Sequence, residues 1–593
     1  MDELGKQPAG DDATGAAIPG VGSGTGSGAP PEGVFGADEI ARVETASGLS
    51  RSATLSPTER VIPTWTDPTV RRASEVIGGP LGRHAIVGRA VWLTPLRVCL
   101  LMAILILIFG WLFKAACIQQ GPNGDGGGVT LDQSGQRPWI TGCYNDVVPL
   151  YGSHKLDTQA MPYKTSWVDT DGTTHYMEYP VVTGYFMWGV SELAKYYVKF
   201  AGPAGLPVPL DVAAYFTIGA IILGMFYLWA VASTARIARR RVWDVAIMCL
   251  SPLLIVHAFT NWDLLAIGMT AGAMAAWARG RPVLAGALIG LGTAAKLYPV
   301  LLLGPLLLLC LRTGKLQGFV RSTIAAAVVW LAINLPIMAL FPTGWYEFIK
   351  LNSERPAEYD SWYSIYTTLS GSTVFDNARG ADSPTLLNVL SLLLFALACL
   401  AIGWFALSAT RRPRLAQLIF LVVAAFLLTN KVWSPQYSLW LLPLVTLALP
   451  RWRPVLAWQF SEAVVWILLM LSFAGVENKG LSIYPFIGAA ILRDILLVML
   501  VVRVIREIQH PANDLIRMAG DDDPSGGVLE NSPDRFVLPS IGALWNDLKR
   551  PAPERETVLV GAPDDGSSSS VIQSDSAVRP GSALRQTDDE LQP

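Results

Sequence analysis

Between residues 95 and 507 the chain alternates apolar runs with short polar turns, and most of the turns are basic. A bilayer core takes roughly 20 apolar residues as a helix, so each long run is expected to cross a membrane. The first run is Leu96 to Ala116, with Arg83, Arg89 and Arg97 at or before its start. Lysine and arginine in short loops collect on the cytoplasmic side, which puts the amino terminus inside. Leu210 to Thr234 returns to Arg236, Arg239, Arg240 and Arg241, and Leu264 to Ala278 returns to Arg279 and Arg281. Later runs end at Arg411, Arg412 and Arg414, at Arg451 and Arg453, and at Arg503 and Arg506. A consistent inside placement of every cluster predicts an all-α polytopic protein of the cell membrane, with about twelve transmembrane helices and both termini cytoplasmic.

Two stretches need a choice. Val181 to Val190 is apolar but runs into SELAKYYVKF, and a crossing there would reverse everything downstream. An interfacial helix on the outer leaflet is expected instead. Pro282 to Leu311 is long for one helix and is interrupted by Lys296 and Pro299. Two short helices with Lys296 near the outer turn keep Arg312, Lys315 and Arg321 inside.

Three regions follow. Residues 1–94 are Gly-, Ala-, Pro- and Ser-rich and are expected to be a disordered cytoplasmic tail. Residues 95–507 are the multi-span domain, and residues 508–593 are expected to be a disordered acidic cytoplasmic tail. Composition agrees: 51% of the 593 residues are hydrophobic and 16% charged, against roughly 25% charged in an average soluble domain. The net charge of −2 carries little information, and nothing suggests a nucleic-acid partner. Of the six cysteines, Cys117 and Cys143 flank the start of the first external loop, and sequence alone leaves their pairing open.

With this topology the unusual polar residues all face outward. Asp146 lies in CYNDVVPLYG, Glu178 and Tyr179 in EYP, and Asn261 and Asp263 in NWD. Lys296 sits within GTAAKLYP, and Lys431 and Gln436 within NKVWSPQY. Each charged one has an ordinary alternative: Asp146 and Asp263 as helix caps, Glu178 as a first-turn carboxylate, and Lys296 and Lys431 snorkelling to the interface. Arg493 and Asp494, midway along the last run, either pair locally or face the interior. No P-loop, dinucleotide fingerprint, zinc-ligand spacing or serine-hydrolase elbow occurs in a credible context.

Taken together, Asp146 to Tyr151 (D-x4-Y), PY at 162–163, EYP at 178–180, NWD at 261–263, G-x-x-x-K-x-Y-P over Gly292 to Pro299 and NKVWSPQYSLWLLPL at 430–444 resemble glycosyltransferase family 87. This is the polyprenyl-phosphate-mannose-dependent group of the glycosyltransferase C superfamily, and the resemblance covers roughly residues 96–505. It implies an extracytoplasmic active site, a lipid-phosphate sugar donor and a catalytic aspartate in the first external loop, matched here by Asp146. The chemistry fits: an external carboxylate deprotonates an acceptor hydroxyl, and Lys296 and Lys431 receive the departing lipid phosphate. Tyr151, Glu178, Tyr179, Asn261, Asp263 and Gln436 are then expected substrate contacts, with no metal or cofactor. The expected partners are the lipid bilayer, a polyprenyl-phosphate sugar, most readily mannose, and a cell-envelope glycan or glycolipid acceptor. Rival readings are an arabinosyltransferase of the same layout, a polyprenyl-lipid transporter, which would favour inverted repeats, and a catalytically inert scaffold acting through its tails.

Overall fold

The first helix, α1 (Pro95–Ala115), starts where Thr94 Oγ1 accepts the Arg97 amide and Pro95 supplies a preset φ. It belongs to a computed structural model that describes residues 94–123, 127–158, 160–169, 172–375 and 384–539. The expected tail at 1–94 lies outside them apart from Thr94, as does the C-terminal tail beyond 539. After α1 come two small antiparallel hairpins, Gln120–Pro122 with Val129–Leu131 and Trp167–Val168 with Thr174–His175, registered Gln120 to Leu131 and Trp167 to His175. Between the hairpins lies α2 (Val147–Ser153), and after them α3 (Val181–Ala201).

The bundle continues through α4 (Asp211–Ala238), α5 (Pro252–His257), α6 (Asp263–Ala278), α7 (Pro282–Ala295), α8 (Leu303–Thr313) and α9 (Leu316–Leu340). Then follow α10 (Pro342–Glu354), α11 (Thr385–Ser408), α12 (Leu415–Thr429), α13 (Leu441–Ala448), α14 (Trp452–Ala474) and α15 (Ile483–Gln509). Among the described residues, six helical segments are long and apolar enough to cross a membrane, containing α1, α4, α9, α11, α14 and α15. The shorter apolar helices α6, α7 and α12 and the segment Tyr298–Thr313 have 10–17 residues. The expectation of about twelve spans gave every apolar run equal weight, whereas the structure separates two kinds. Over the apolar windows the long segments are buried inside the protein to between 11%, in α11, and 50%, in the segments of α4 and α14, while α6 is buried on every side from Asp263 to Trp277. A helix surrounded by protein need not match the bilayer thickness, so its ends can stop at a polar site.

Lys296 adopts an extended conformation (φ −154°, ψ 142°) and ends α7, and a 3-10 turn at Tyr298–Leu302 leads into α8. The expected pair of short helices with Lys296 at their turn is therefore what the chain forms. Its α7 arm lies directly on α9: a Cβ at Gly286 would sit 1.9 Å from the Ser322 carbonyl oxygen, and one at Gly290 2.3 Å from that of Ala326. Glycine spaced by four lets these two backbones touch. The expected interfacial segment is one helix, α3, 21 residues long, with Val181, Gly184, Met187, Val190, Ser191 and Ala194 buried along one stripe and Leu193, Tyr196 and Phe200 exposed. It carries Glu192, Lys195 and Lys199 and is not among the six long apolar segments.

The C-terminal boundary expected at 508 is corrected. Residues through Leu538 belong to the same compact unit as the helices. Asp514 pairs with the fully buried Arg414 at 2.7 Å, Asp534 with Arg312 at 2.7 Å, Asp522 with Arg411 at 3.0 Å, and Glu530 with Arg239. An acidic stretch that repels itself in isolation is ordered here by the arginines at the helix ends. All of these arginines thus share one face of the bundle, the basic face, held by one segment.

Candidate active site

At the opposite face the loop after α1 is fixed before it reaches Asp146. Cys117 and Cys143 form a disulfide, which settles the pairing left open by sequence. The ammonium of Lys114, fully buried in the last turn of α1, donates to the Tyr144 carbonyl at 2.6 Å and lies 4.1 Å from the centre of a Trp466 ring. The Asp146 amide donates to the Thr260 carbonyl at 2.7 Å, tying the loop to the NWD turn. Lys114 has no counterpart among the expected site residues, because a lysine closing an apolar run reads simply as the edge of a span.

The cap of α2 separates two readings of Asp146. Asn145 Oδ1 accepts the Val148 amide at 2.9 Å, while the Asp146 side chain makes no capping bond. The neighbouring asparagine does the work expected of a capping aspartate, and the Asp146 carboxylate is turned instead into a cavity of about 260 Å³. Tyr144, Thr260, Arg355, Glu358, Asp360, Ser434, Gln436 and Trp466 line the same cavity. Burial pushes the Asp146 carboxyl up to about 6, against a Tyr144 hydrogen bond and the Lys296 and Arg355 charges, which favour the anion; Glu178 adds to the rise. A half-buried carboxylate with that pKa is ionised near neutrality yet basic enough to accept a proton.

The other expected residues divide by what already engages them. Gln436 lines the Asp146 cavity. Asp263, buried at the start of α6, binds Lys296 at 3.0 Å, and the same ammonium lies 4.7 Å from the Tyr437 ring centre. Asn261 Oδ1 accepts the Asp263 amide at 2.9 Å and shapes the turn. Glu178 approaches His154 at 3.6 Å. Burial works to raise its pKa, but His154 and the nearby Arg355 and His175 leave it below the ordinary value. Tyr179 packs its ring edge-on against Trp262 at 4.9 Å, and its carbonyl accepts the Tyr163 hydroxyl at 2.8 Å. Tyr151 faces elsewhere: its ring lies 4.8 Å from Tyr215 and lines another, mostly apolar cavity of about 510 Å³ that does not include Asp146.

Lys431 is engaged differently from expectation. Its ammonium donates to the carbonyls of Arg355 at 2.7 Å and Ser353 at 3.3 Å, and its own carbonyl accepts the Glu358 amide at 2.9 Å. Burial, with Arg355 nearby, brings its pKa down to about 8. Arg493 resolves the choice posed by its sequence position in both directions. It bonds Asp494 at 2.8 Å and also reaches Asp360 and Glu462, each at 3.2 Å, with its guanidinium 3.7 Å from a Trp433 ring centre. The last span is thereby tied to the stretch between α10 and α11 that carries Asp360 and to the NKVWSPQY turn.

Residues 196–435 match the family model described as Glycosyltransferase family 87. Asp146 lies before that stretch, whereas Asp263, Lys296, Arg355 and Lys431 lie within it. No curated protein matches the chain. Among solved structures, the crystal structure of ArnT from Cupriavidus metallidurans bound to undecaprenyl phosphate is similar at 15% identity and a TM-score of 0.34, covering 70% of this chain and 78% of that one. At that score the likeness decides nothing about the site.

Proposed function

We propose that this chain, whose residues 196–435 match the model of glycosyltransferase family 87, is a membrane enzyme of that family transferring mannose from a polyprenyl-phosphate donor to a cell-envelope glycan or glycolipid on the extracytoplasmic side. The observation that carries the site assignment is the freed Asp146: Asn145 caps α2, and the aspartate faces a polar cavity with a carboxyl pKa raised to about 6. Asp146 takes the proton of the acceptor hydroxyl as its oxygen bonds to the anomeric carbon. The bond from that carbon to the phosphate oxygen breaks in the same displacement, which inverts the centre and releases polyprenyl phosphate. A phosphate leaves without protonation, so the second carboxylate that glycoside hydrolysis requires is unnecessary here. Glu178, held by His154, then shapes the site. Lys296 has one donor engaged by Asp263 and lends its charge to the leaving group.

The Cys117–Cys143 disulfide supports the outward placement, since such bonds persist in oxidising compartments. The gathering of Arg239, Arg312, Arg411 and Arg414 at the opposite face supports it independently. The test is transfer in proteoliposomes with polyprenyl-phospho-mannose and polyprenyl-phospho-arabinose offered separately. Wild-type protein should use the mannose donor, and Asp146→Asn should lose activity by about 10² or more with an unchanged melting profile. Full turnover by Asp146→Asn would remove the base assignment, and use of the arabinose donor alone would move the enzyme to the pentose reading.

A further inference from the structure

Lys296 and Arg355 both act on the Asp146 carboxylate, Lys431 lies under Arg355, and the present engagements of the three differ. Lys296 is bound to the Asp263 carboxylate and capped by the Tyr437 ring. Lys431 has its ammonium on two backbone carbonyls. Arg355 lines the Asp146 cavity with its side chain about half exposed (49%), and its carboxylate contact is a loose one to Glu358 at 3.6 Å. Its backbone, by contrast, is held closely. The Lys431 ammonium binds its carbonyl, its amide donates to Leu351 at 2.9 Å, and the Asn388 amide group holds the Ser353 carbonyl at 2.8 Å. A fixed backbone under an under-engaged guanidinium is the arrangement expected of an anion receptor.

We propose that Arg355 is the contact for the donor phosphate, and that Lys431 is the positioning residue that holds it there. The inference rests on the lipid-phosphate donor reading above, and it moves the phosphate role assigned to Lys431 onto the arginine that lysine supports. Guanidinium donors match two phosphate oxygens at once, whereas a lysine ammonium already on carbonyls has one donor remaining. Of the carboxylates sharing the cavity, Asp360 is balanced by Arg493 at 3.2 Å. Glu358 is the group Arg355 exchanges for phosphate, and Asp146 stays across the cavity for the acceptor.

Binding of a polyprenyl monophosphate, measured against the unphosphorylated polyprenol of equal length on the full-length protein in nanodiscs, separates the possibilities. Wild-type and Asp146→Asn proteins should prefer the phosphate by roughly tenfold or more. Arg355→Gln should lose that preference, and Arg355→Lys should retain part of it. Lys431→Gln should weaken the preference while Lys431→Arg restores it, a pattern that general loss of packing does not produce. Matched melting profiles of Arg355→Lys and wild type keep the comparison valid if Arg355→Gln misfolds. An undiminished phosphate preference in Arg355→Gln, or in Arg355→Lys should only that variant fold, overturns the assignment while leaving the donor reading intact. Absence of any preference in the wild type removes the donor reading itself.

Discussion

Asp146 and Lys431 give the site two titrations on either side of neutrality. Asp146 must be ionised to accept a proton, so transfer should rise with pH through about 6, and below that it should fall about tenfold per unit. Lys431 must be protonated to hold the Arg355 and Ser353 carbonyls, so activity should fall again as pH rises through about 8. A bell-shaped profile of kcat/KM is the expected result. Lys431→Arg, whose charge persists to far higher pH, should extend the alkaline side, and an unchanged alkaline limb in that variant would dissociate it from Lys431. Asn145→Ala should cost about 1 kcal/mol through the lost cap and should also lower kcat, because Asp146 is then the nearest side chain able to serve the Val148 amide. Asn145→Ser, which can still cap, should recover most of both.

The helices show what a single sequence makes visible. Apolar length located α1, α4, α9, α11, α14 and α15, because a helix that faces lipid on one side and the packed bundle on the other is apolar on both. The break at Lys296 was legible too: a lysine and a proline inside one long run left few other ways to keep the basic clusters on one side. The engagement of each site residue was not legible. Whether Asn145 or Asp146 caps α2 depends on one side-chain rotation, and Lys431 differs from a snorkelling lysine only through carbonyls about 76 residues away in sequence. Tyr151 fits its motif by spacing, yet α2 turns it toward Tyr215. The Cys117–Cys143 bond joins the end of α1 to the residue three before Asp146, with a sequence separation of 26. Replacing both cysteines by serine should cost about 3 kcal/mol and depress transfer more than it depresses folding yield, since the loop it closes carries the base. Equal activity per folded molecule in wild type and the double variant would count against that coupling.

At the scale of the whole molecule, the segment from 511 to 538 grips the basic ends of the helices whose other ends build the site. The Leu415 amide donates to Asp523 at 2.9 Å and the Ala416 amide to Ser525 at 3.2 Å, so the segment caps α12, which leads directly to Lys431 and Gln436. Trp277, near the end of α6, donates to the Gly526 carbonyl at 2.8 Å, and the other end of α6 is Asp263. Arg312 closes α8, the arm that follows Lys296, and binds Asp534. Removing 510–593 would leave Arg414 and Arg312 buried without their carboxylates, and breaking a buried pair costs about 3–5 kcal/mol. That truncation should therefore lower the melting temperature and abolish transfer, whereas removing 540–593 should leave both near the full-length values. Asp523→Asn should lie between, loosening α12 at its far end and lowering kcat with little effect on melting. If the chain cut after 509 transferred sugar as fast as the full-length protein, the segment would be only a passenger on the basic face, and the site would be held by the bundle alone.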